Sequence, residues 1–243
     1  LYWQDLPCVY RVHEEPAPEK LQAFAVFAHN LGLDVTPLRA KKIFPAALTR
    51  VLDAANEKGL SETVSLVMLR SLAKAKYSAA PAPHFGLAID KYCHFTSPIR
   101  RYPDLAVHRM VKATLHGDMT KQIGQMQSFA ENAAAKSSAN ELRALTAERA
   151  VDDLFRVLYL QQHIGELFDG VISMVGSYGF FVTLENSCEG LVPMGSLGDG
   201  FVFDEPSLTV SRSGMVFMPG KRVRVCVEQC DIPTRRATFA LAE

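Results

Sequence analysis

The sequence predicts an α+β protein in which a helix-rich segment, residues 1–164, is followed by a small closed β-barrel, residues 165–243. Three observations carry this. Apolar residues recur at helical spacing along most of the first segment. At Gly165 the helical period stops, and Val, Phe and Gly become frequent. Beyond it, FDGVISMV, GFFVTLE, EGLVPM, KRVRVCVEQC and ATFALAE form five strand-like segments separated by turn signals, the pattern of a five-stranded OB-type barrel.

Each element has its own signal. VYRVH reads as a short strand closed by Glu14-Glu15-Pro16. A helix is expected from about Glu19 to Leu31, with Leu21, Phe24, Ala25, Ala28 and Leu31 on one face and Gly32 as the stop. A second covers about Pro45 to Lys58, ending before Gly59, and a third runs from Glu62 to Tyr77 behind Ser61 as N-cap. The stiff loop Ala79 to Pro83 leads into an extended run, His84 to Phe95. A turn at Thr96-Ser97-Pro98 follows, then a helix from about Pro103 to His116, broken at Gly117 and Asp118. The longest helical stretch, about Thr120 to Ile164, is expected to be interrupted near Ser137-Ser138. Its second half should bury Leu142, Leu145, Val151, Leu154, Phe155 and Leu158. Residues Ser196 to Pro219 read as a loop between the third and fourth strands of the barrel.

Composition narrows the class. With 48% hydrophobic and 21% charged residues in 243, the chain reads as globular and soluble. No apolar run reaches the roughly 20 residues that span a bilayer. The opening LYWQDLPCVYRVHEEP lacks the parts of a signal peptide, and the absence of an initial Met makes the sequence read as a fragment. Five scattered cysteines without ligand spacing read as free thiols in a reducing compartment, which places the protein in the cytoplasm. Net charge is zero, with a basic excess before Gly165 and an acidic excess after it, so nucleic-acid binding must rest on local patches.

The stretch HFGLAIDKYCHFTSPIRRYPDLAVHR, His84 to Arg109, concentrates chemistry. A guanidinium is a planar fork that grips two phosphate oxygens, and Arg100 and Arg101 sit together at a sharp turn into a helix. With VYRVHEEP (9–16), MLRSLAKAKY (68–77) and LTAERAVDDL (145–154), this stretch resembles the ribonuclease II / ribonuclease R family, in the order found in the later part of its catalytic RNB domain. The barrel is similar to the S1-type RNA-binding domain that follows there. The resemblance implies a processive 3′→5′ exoribonuclease that releases nucleoside 5′-monophosphates from a single-stranded RNA 3′ end. It also implies Mg2+ held by an aspartate cluster of the DxDDA type. No such motif occurs in this chain, so no metal ligand is assigned within it, and the ligands are expected upstream. The competing reading is a non-catalytic RNA-binding module that reuses the same scaffold.

The resemblance assigns roles residue by residue. Arg100 and Arg101 match the SPIRRY arginines, one of which grips the scissile phosphate, Arg100 being the first choice. Glu148 matches the AER glutamate, which would position the attacking water; an exposed, ion-paired helix glutamate is the competing reading, and the sequence has AERAV where the family often has AERDV. Glu141 is a weaker candidate. Among the histidines His94 is preferred, because it precedes the turn, while His84 and His108 read as packed. Tyr102 could stack on a base, and Ser97 reads as a cap rather than a nucleophile. In the barrel, Tyr178 and Phe181 match the aromatic pair of SYGFFV, which stacks bases if both rings face outward and Phe180 faces the core. Arg236, with Lys221, Arg222 and Arg224, supplies the remaining basic candidates, and Pro193 stands where the family often has His.

Overall fold

The computed structural model describes residues 1–40, 43–117 and 122–242. The expected break at Asp118 and the expected helix start at Thr120 lie outside them. In chain order the elements are β1 (Tyr10–Val12), α1 (Pro18–Asn30), α2 (Pro45–Glu57), α3 (Ser61–Ser71), β2 (Lys76–Ser78), α4 (Tyr102–Leu115) and α5 (Ile123–Gln161). Eight strands follow: β3 (Leu167–Gly176), β4 (Gly179–Leu184), β5 (Glu189–Pro193), β6 (Val202–Asp204), β7 (Thr209–Arg212), β8 (Met215–Phe217), β9 (Arg222–Asp231) and β10 (Arg236–Leu241). The chain divides into two compact units. One is built chiefly from Leu1–Ala17 and Leu72–Thr146, the other from Pro18–Ala40, Leu48–Ser71 and Ala147–Glu243.

In the first unit β1 pairs antiparallel with β2, Arg11 opposite Tyr77. Its core gathers Val9, Tyr10, Val12 and Tyr77 with Ala106, Val107 and Met110 of α4 and Ala130, Ala133 and Ala134 of α5. In the second unit β3, β4, β5, β9 and β10 close into a barrel in the order β10-β5-β4-β3-β9, with β5 and β10 parallel and the other pairs antiparallel. Alternation decides which side chains face inward: Phe180, Val182 and Leu184 on β4, Val225 and Val227 on β9, Ala237 and Phe239 on β10 are buried together. Each fully buried Val or Phe contributes about 1.5–3 kcal/mol by leaving water. The architecture is thus helix-rich first and an OB-type five-stranded barrel second.

Five expectations need correction. The third helix ends at Ser71, not Tyr77, and Lys76–Ser78 pairs as a strand with β1. The run from His84 to Phe95 is not a strand: Phe85–Leu87 form a single 3-10 turn, capped by the His84 ring accepting from the Leu87 N–H and closed by Ala88 at φ 54°. A left-handed residue cannot continue a strand. The long helix is unbroken through Ser137-Ser138. The Ser138 hydroxyl bonds the Ala134 carbonyl one turn back and accepts the Tyr77 N–H at 3.0 Å, so its hydrogen bonding fits inside the helix. The apolar stripe expected in its second half is also displaced, since Leu142, Val151 and Phe155 are exposed while Val157 and Leu160 are buried. Finally, Ser196–Pro219 is not a plain loop but holds β6, β7 and β8 as a small antiparallel sheet, with Val210 and Phe217 in the barrel core.

Candidate RNA-handling site

The turn into α4 is built around one buried carboxylate. Asp104, in the first turn of α4, is fully buried, and its Oδ2 accepts from the Ser97 N–H at 2.8 Å and from Arg101 Nη2 at 2.9 Å. The Ser97 carbonyl in turn accepts the N–H groups of Arg100 and Arg101 at 3.3 and 3.0 Å. One turn along α4, His108 Nε2 donates to the Phe95 carbonyl at 2.8 Å, and its ring stacks on Phe95 with centroids 4.1 Å apart. The i, i+4 pair Asp104 and His108 therefore holds both ends of residues 95–97. Arg101 Nε and Asp104 Oδ1 are buried without a hydrogen-bond partner among the described residues.

This arrangement separates the two arginines. Arg101 is half-buried and committed to Asp104. Arg100 is exposed and engages no side-chain partner among the described residues, on the same fixed turn. Tyr102, 48% exposed, stands at the start of α4 beside them. Behind the turn lies a chain of rings. His94 Nδ1 meets the Tyr77 hydroxyl at 2.9 Å, Tyr92 packs edge-on between His94 and His84, and His84 meets His13 at 5.1 Å between centroids. Arg11 lies 4.5 Å over the Tyr77 ring and pairs with Glu141 at 2.7 Å. Burial, with the guanidinium charges of Arg101 and Arg11, holds the His94 pKa below the ordinary histidine value. Burial also lowers that of His84 and raises that of Tyr77. Glu148 stands exposed on α5, in the second unit, with no ion pair among the described residues.

The barrel presents a second surface. Tyr178, Phe181 and Arg236 line one cleft of about 830 Å3, together with Arg156, Gln229 and Arg235. Phe180 is wholly buried, Tyr178 is 46% exposed, and the rings of Tyr178 and Phe181 meet with centroids 5.7 Å apart. Two glycines make this possible. A Cβ on Gly176 would lie 2.6 Å from Tyr178 Cε1, so the bare glycine leaves room for the ring where it lies. Gly179 has φ 122°, and a Cβ on it would fall 2.1 Å from the Val192 carbonyl oxygen. Carboxylates temper the cleft: Asp153 pairs with Arg156 at 3.4 Å, and Glu189 accepts from Ser173 and Thr183. Of the other basic candidates, Lys221 donates to the Val216 carbonyl and lies over Phe217, and Arg224 lies 3.7 Å from Asp169.

Sequence reasoning missed Asp104, Arg156 and Arg235. An acid three residues after Arg101, at a helix start, was a usable signal for Asp104; nothing in the sequence marked the two arginines as members of the cleft. Among the described residues, no three His, Cys, Asp or Glu side chains are grouped to hold a metal ion.

Comparison with known proteins places these features. Residues 1–117 match the model of the RNB domain, and residues 161–241 that of the S1 RNA binding domain. Ribonuclease R 1 of Lactococcus lactis is 36% identical over 241 residues, covering 96% of this chain and 29% of the relative. Ribonuclease R of Aquifex aeolicus is 39% identical over 241 residues, covering 98% of this chain and 34% of the relative. The chain thus spans about a third of the length of these relatives. The structure of Mycoplasma genitalium RNase R in complex with ribose methylated single-stranded RNA superposes with a TM-score of 0.88 at 27% identity, over 100% of this chain and 39% of that one. The structure of the yeast pseudonuclease Ssd1 matches 84% of this chain and 26% of that one with a TM-score of 0.52 at 20% identity, a likeness of fold alone.

Proposed function

From the premise that the chain belongs to the ribonuclease II / ribonuclease R family, an RNB domain segment followed by an S1 domain, we propose that it is part of a 3′→5′ exoribonuclease and handles the phosphate and the strand of a single-stranded RNA 3′ end. The observation that carries this reading is the contrast within the arginine pair. Arg101 is spent on Asp104, while Arg100 is left exposed on a turn that Asp104 and His108 fix from below.

Attack of water on the last phosphodiester builds negative charge on the equatorial phosphate oxygens. A guanidinium already held in place meets that charge without reorganising, and its two parallel N–H donors fix the phosphate's orientation. In this reading Arg100 grips the scissile phosphate, Arg101 stiffens the turn and adds positive potential, and Glu148 orients the attacking water. Tyr178 and Phe181 stack bases of the incoming strand, with Arg236 on its backbone. Mg2+ would neutralise charge at the reacting phosphate. The described residues offer no carboxylate cluster for the ion, so the reading assigns its ligands to protein sequence outside them. A cytoplasmic location accords with five free thiols.

The second reading is an RNA-binding module that does not cleave, resting on the S1 domain alone. A single assay separates the two. Full-length protein with magnesium and a 3′-tailed RNA should release nucleoside 5′-monophosphates, and Arg100→Ala should lower kcat far more than it raises KM. Arg100→Lys should not restore the rate, because an ammonium lacks the fork. A proportionate loss in both constants would mean that Arg100 only holds the strand. Binding without release of nucleotides by the unaltered protein would select the second reading.

A further inference from the structure

Two cysteines that the RNA reading does not use lie together in the first unit. Cys8, just before β1, is buried at 5% exposure, and Cys93, immediately before His94, is half-buried. Both are free thiols, both line one cavity of about 290 Å3, and Cys93 packs against the core cluster to which Cys8 belongs. The backbone holds them in place: the Arg11 N–H donates to the Tyr92 carbonyl at 2.8 Å, tying the strand that follows Cys8 to the residue that precedes Cys93. Cys8 packs with Val9, Tyr10 and Val107 in the core, while Cys93 sits at its edge. The neighbouring Cys8 thiol lowers the pKa of Cys93, against burial that pushes the other way. The Cys93 thiol and burial raise that of Cys8. Cys93, the more exposed of the two, is the sulfur that meets an oxidant first, and the buried Cys8 is its partner.

We propose that Cys8 and Cys93 form a dithiol site that hydrogen peroxide closes to a reversible disulfide, clamping the segment that leads through His94 to the arginine turn. The Cys93 thiolate attacks one peroxide oxygen, the O–O bond breaks, and hydroxide leaves, giving a sulfenic acid on Cys93. The Cys8 sulfur then attacks the Cys93 sulfur. The S–S bond forms, the S–O bond breaks, and the departing hydroxyl takes the Cys8 proton as water. The hydroxide from the first step accepts the proton that Cys93 had lost, so two thiols are oxidised by two electrons and one peroxide becomes two waters. In a reducing compartment such a bond is transient and suits redox sensing rather than structure. The site does not depend on the RNA reading and stands or fails apart from it.

The test is a peptide map. The chain is treated with hydrogen peroxide, its remaining thiols are alkylated, and it is digested without reductant. The expected result is one cross-linked peptide pair joining Cys8 to Cys93, lost on adding dithiothreitol, with Cys188, Cys226 and Cys230 still alkylated. Cys93→Ser should abolish the cross-link. Cys8→Ser should also abolish it and leave Cys93 trapped by dimedone as the sulfenic acid. Unmodified thiols at both positions, a Cys93 that runs on to the sulfinic acid in the unaltered chain, or a cross-link between other cysteines would each overturn the proposal. If Cys8→Ser fails to fold, the map of the unaltered chain decides alone.

Discussion

The arginine turn and the barrel cleft both gather arginine and aromatic side chains, and they are held by opposite means. At the turn, one buried charge organises everything: Asp104 is fully buried and binds both a backbone N–H and a guanidinium. At the cleft no buried charge is involved. Strand alternation sends Phe180 inward and Phe181 outward, and two glycines let the chain and the Tyr178 ring come close. A site built on a buried ion pair couples stability to electrostatics, since removing one partner strands the other. A site built on pleat and glycine couples stability to backbone shape.

Breaking each support should give the largest effects and distinguish the two. Asp104→Ala leaves the half-buried Arg101 guanidinium and the Ser97 N–H without their acceptor, and should cost about 3 kcal/mol in denaturant unfolding. Arg101→Ala should be similarly harmful, whereas Arg100→Ala should stay within about 0.5 kcal/mol of the unaltered protein. Equal costs for the two arginines would erase the asymmetry on which the turn is read. In the barrel, Gly179→Ala forces a Cβ against the Val192 carbonyl at φ 122° and should destabilise by at least about 2 kcal/mol. A neutral outcome would show that the β4–β5 approach is looser than described.

The two cleft rings come next in size. Tyr178→Ala and Phe181→Ala should each weaken single-stranded RNA binding by about 1–3 kcal/mol, read by fluorescence anisotropy. Thermal stability should change little for Tyr178→Ala, whose ring is 46% exposed. Unchanged affinity in the double variant would remove base stacking from the cleft and leave only Arg156, Arg235 and Arg236 as its basis.

The same contrast explains what the sequence could reveal. All five strands of the barrel were legible, because alternation of Val and Phe with polar residues is a local signal and the turns between the strands carry Gly, Asn or Pro. The strands β6, β7 and β8 were not, since three or four residues are too few to show a period and turn residues crowd them. The run from His84 read as extended because nothing in Phe-Gly-Leu-Ala announces a left-handed Ala88. The face of the second half of α5 was misplaced because hydrophobicity favours Leu142, Val151 and Phe155, whereas the residues buried there are Val157 and Leu160. The SPIRRYPD run stood out at once as a place for phosphate, but the division of labour between its arginines depends on Asp104 being buried, which is a property of the fold.

The smallest expected effect is on acid stability, and it too should fall on one region. His84 and His94 have pKa values below the ordinary one, first through burial, then through His13 for His84 and through Arg101 and Arg11 for His94. A depressed pKa in the folded state means that the unfolded chain takes up the proton more readily. Their contribution is therefore complete above the unfolded histidine value of about 6.5 and is lost as the pH falls below it. Protonation also removes the His84 Nδ1 acceptor from the Leu87 N–H, which caps the turn over Phe85–Leu87. Between about pH 6.5 and pH 5 the carboxylates remain ionised, so the histidines act almost alone in that window. Amide exchange should then quicken at Leu87 and Ala88 while β4 and β9 keep their protection. His84→Gln retains an acceptor at a similar reach and should flatten the dependence. Exchange that quickens equally in the barrel strands would show that the ring chain behind the turn carries no special sensitivity to acid.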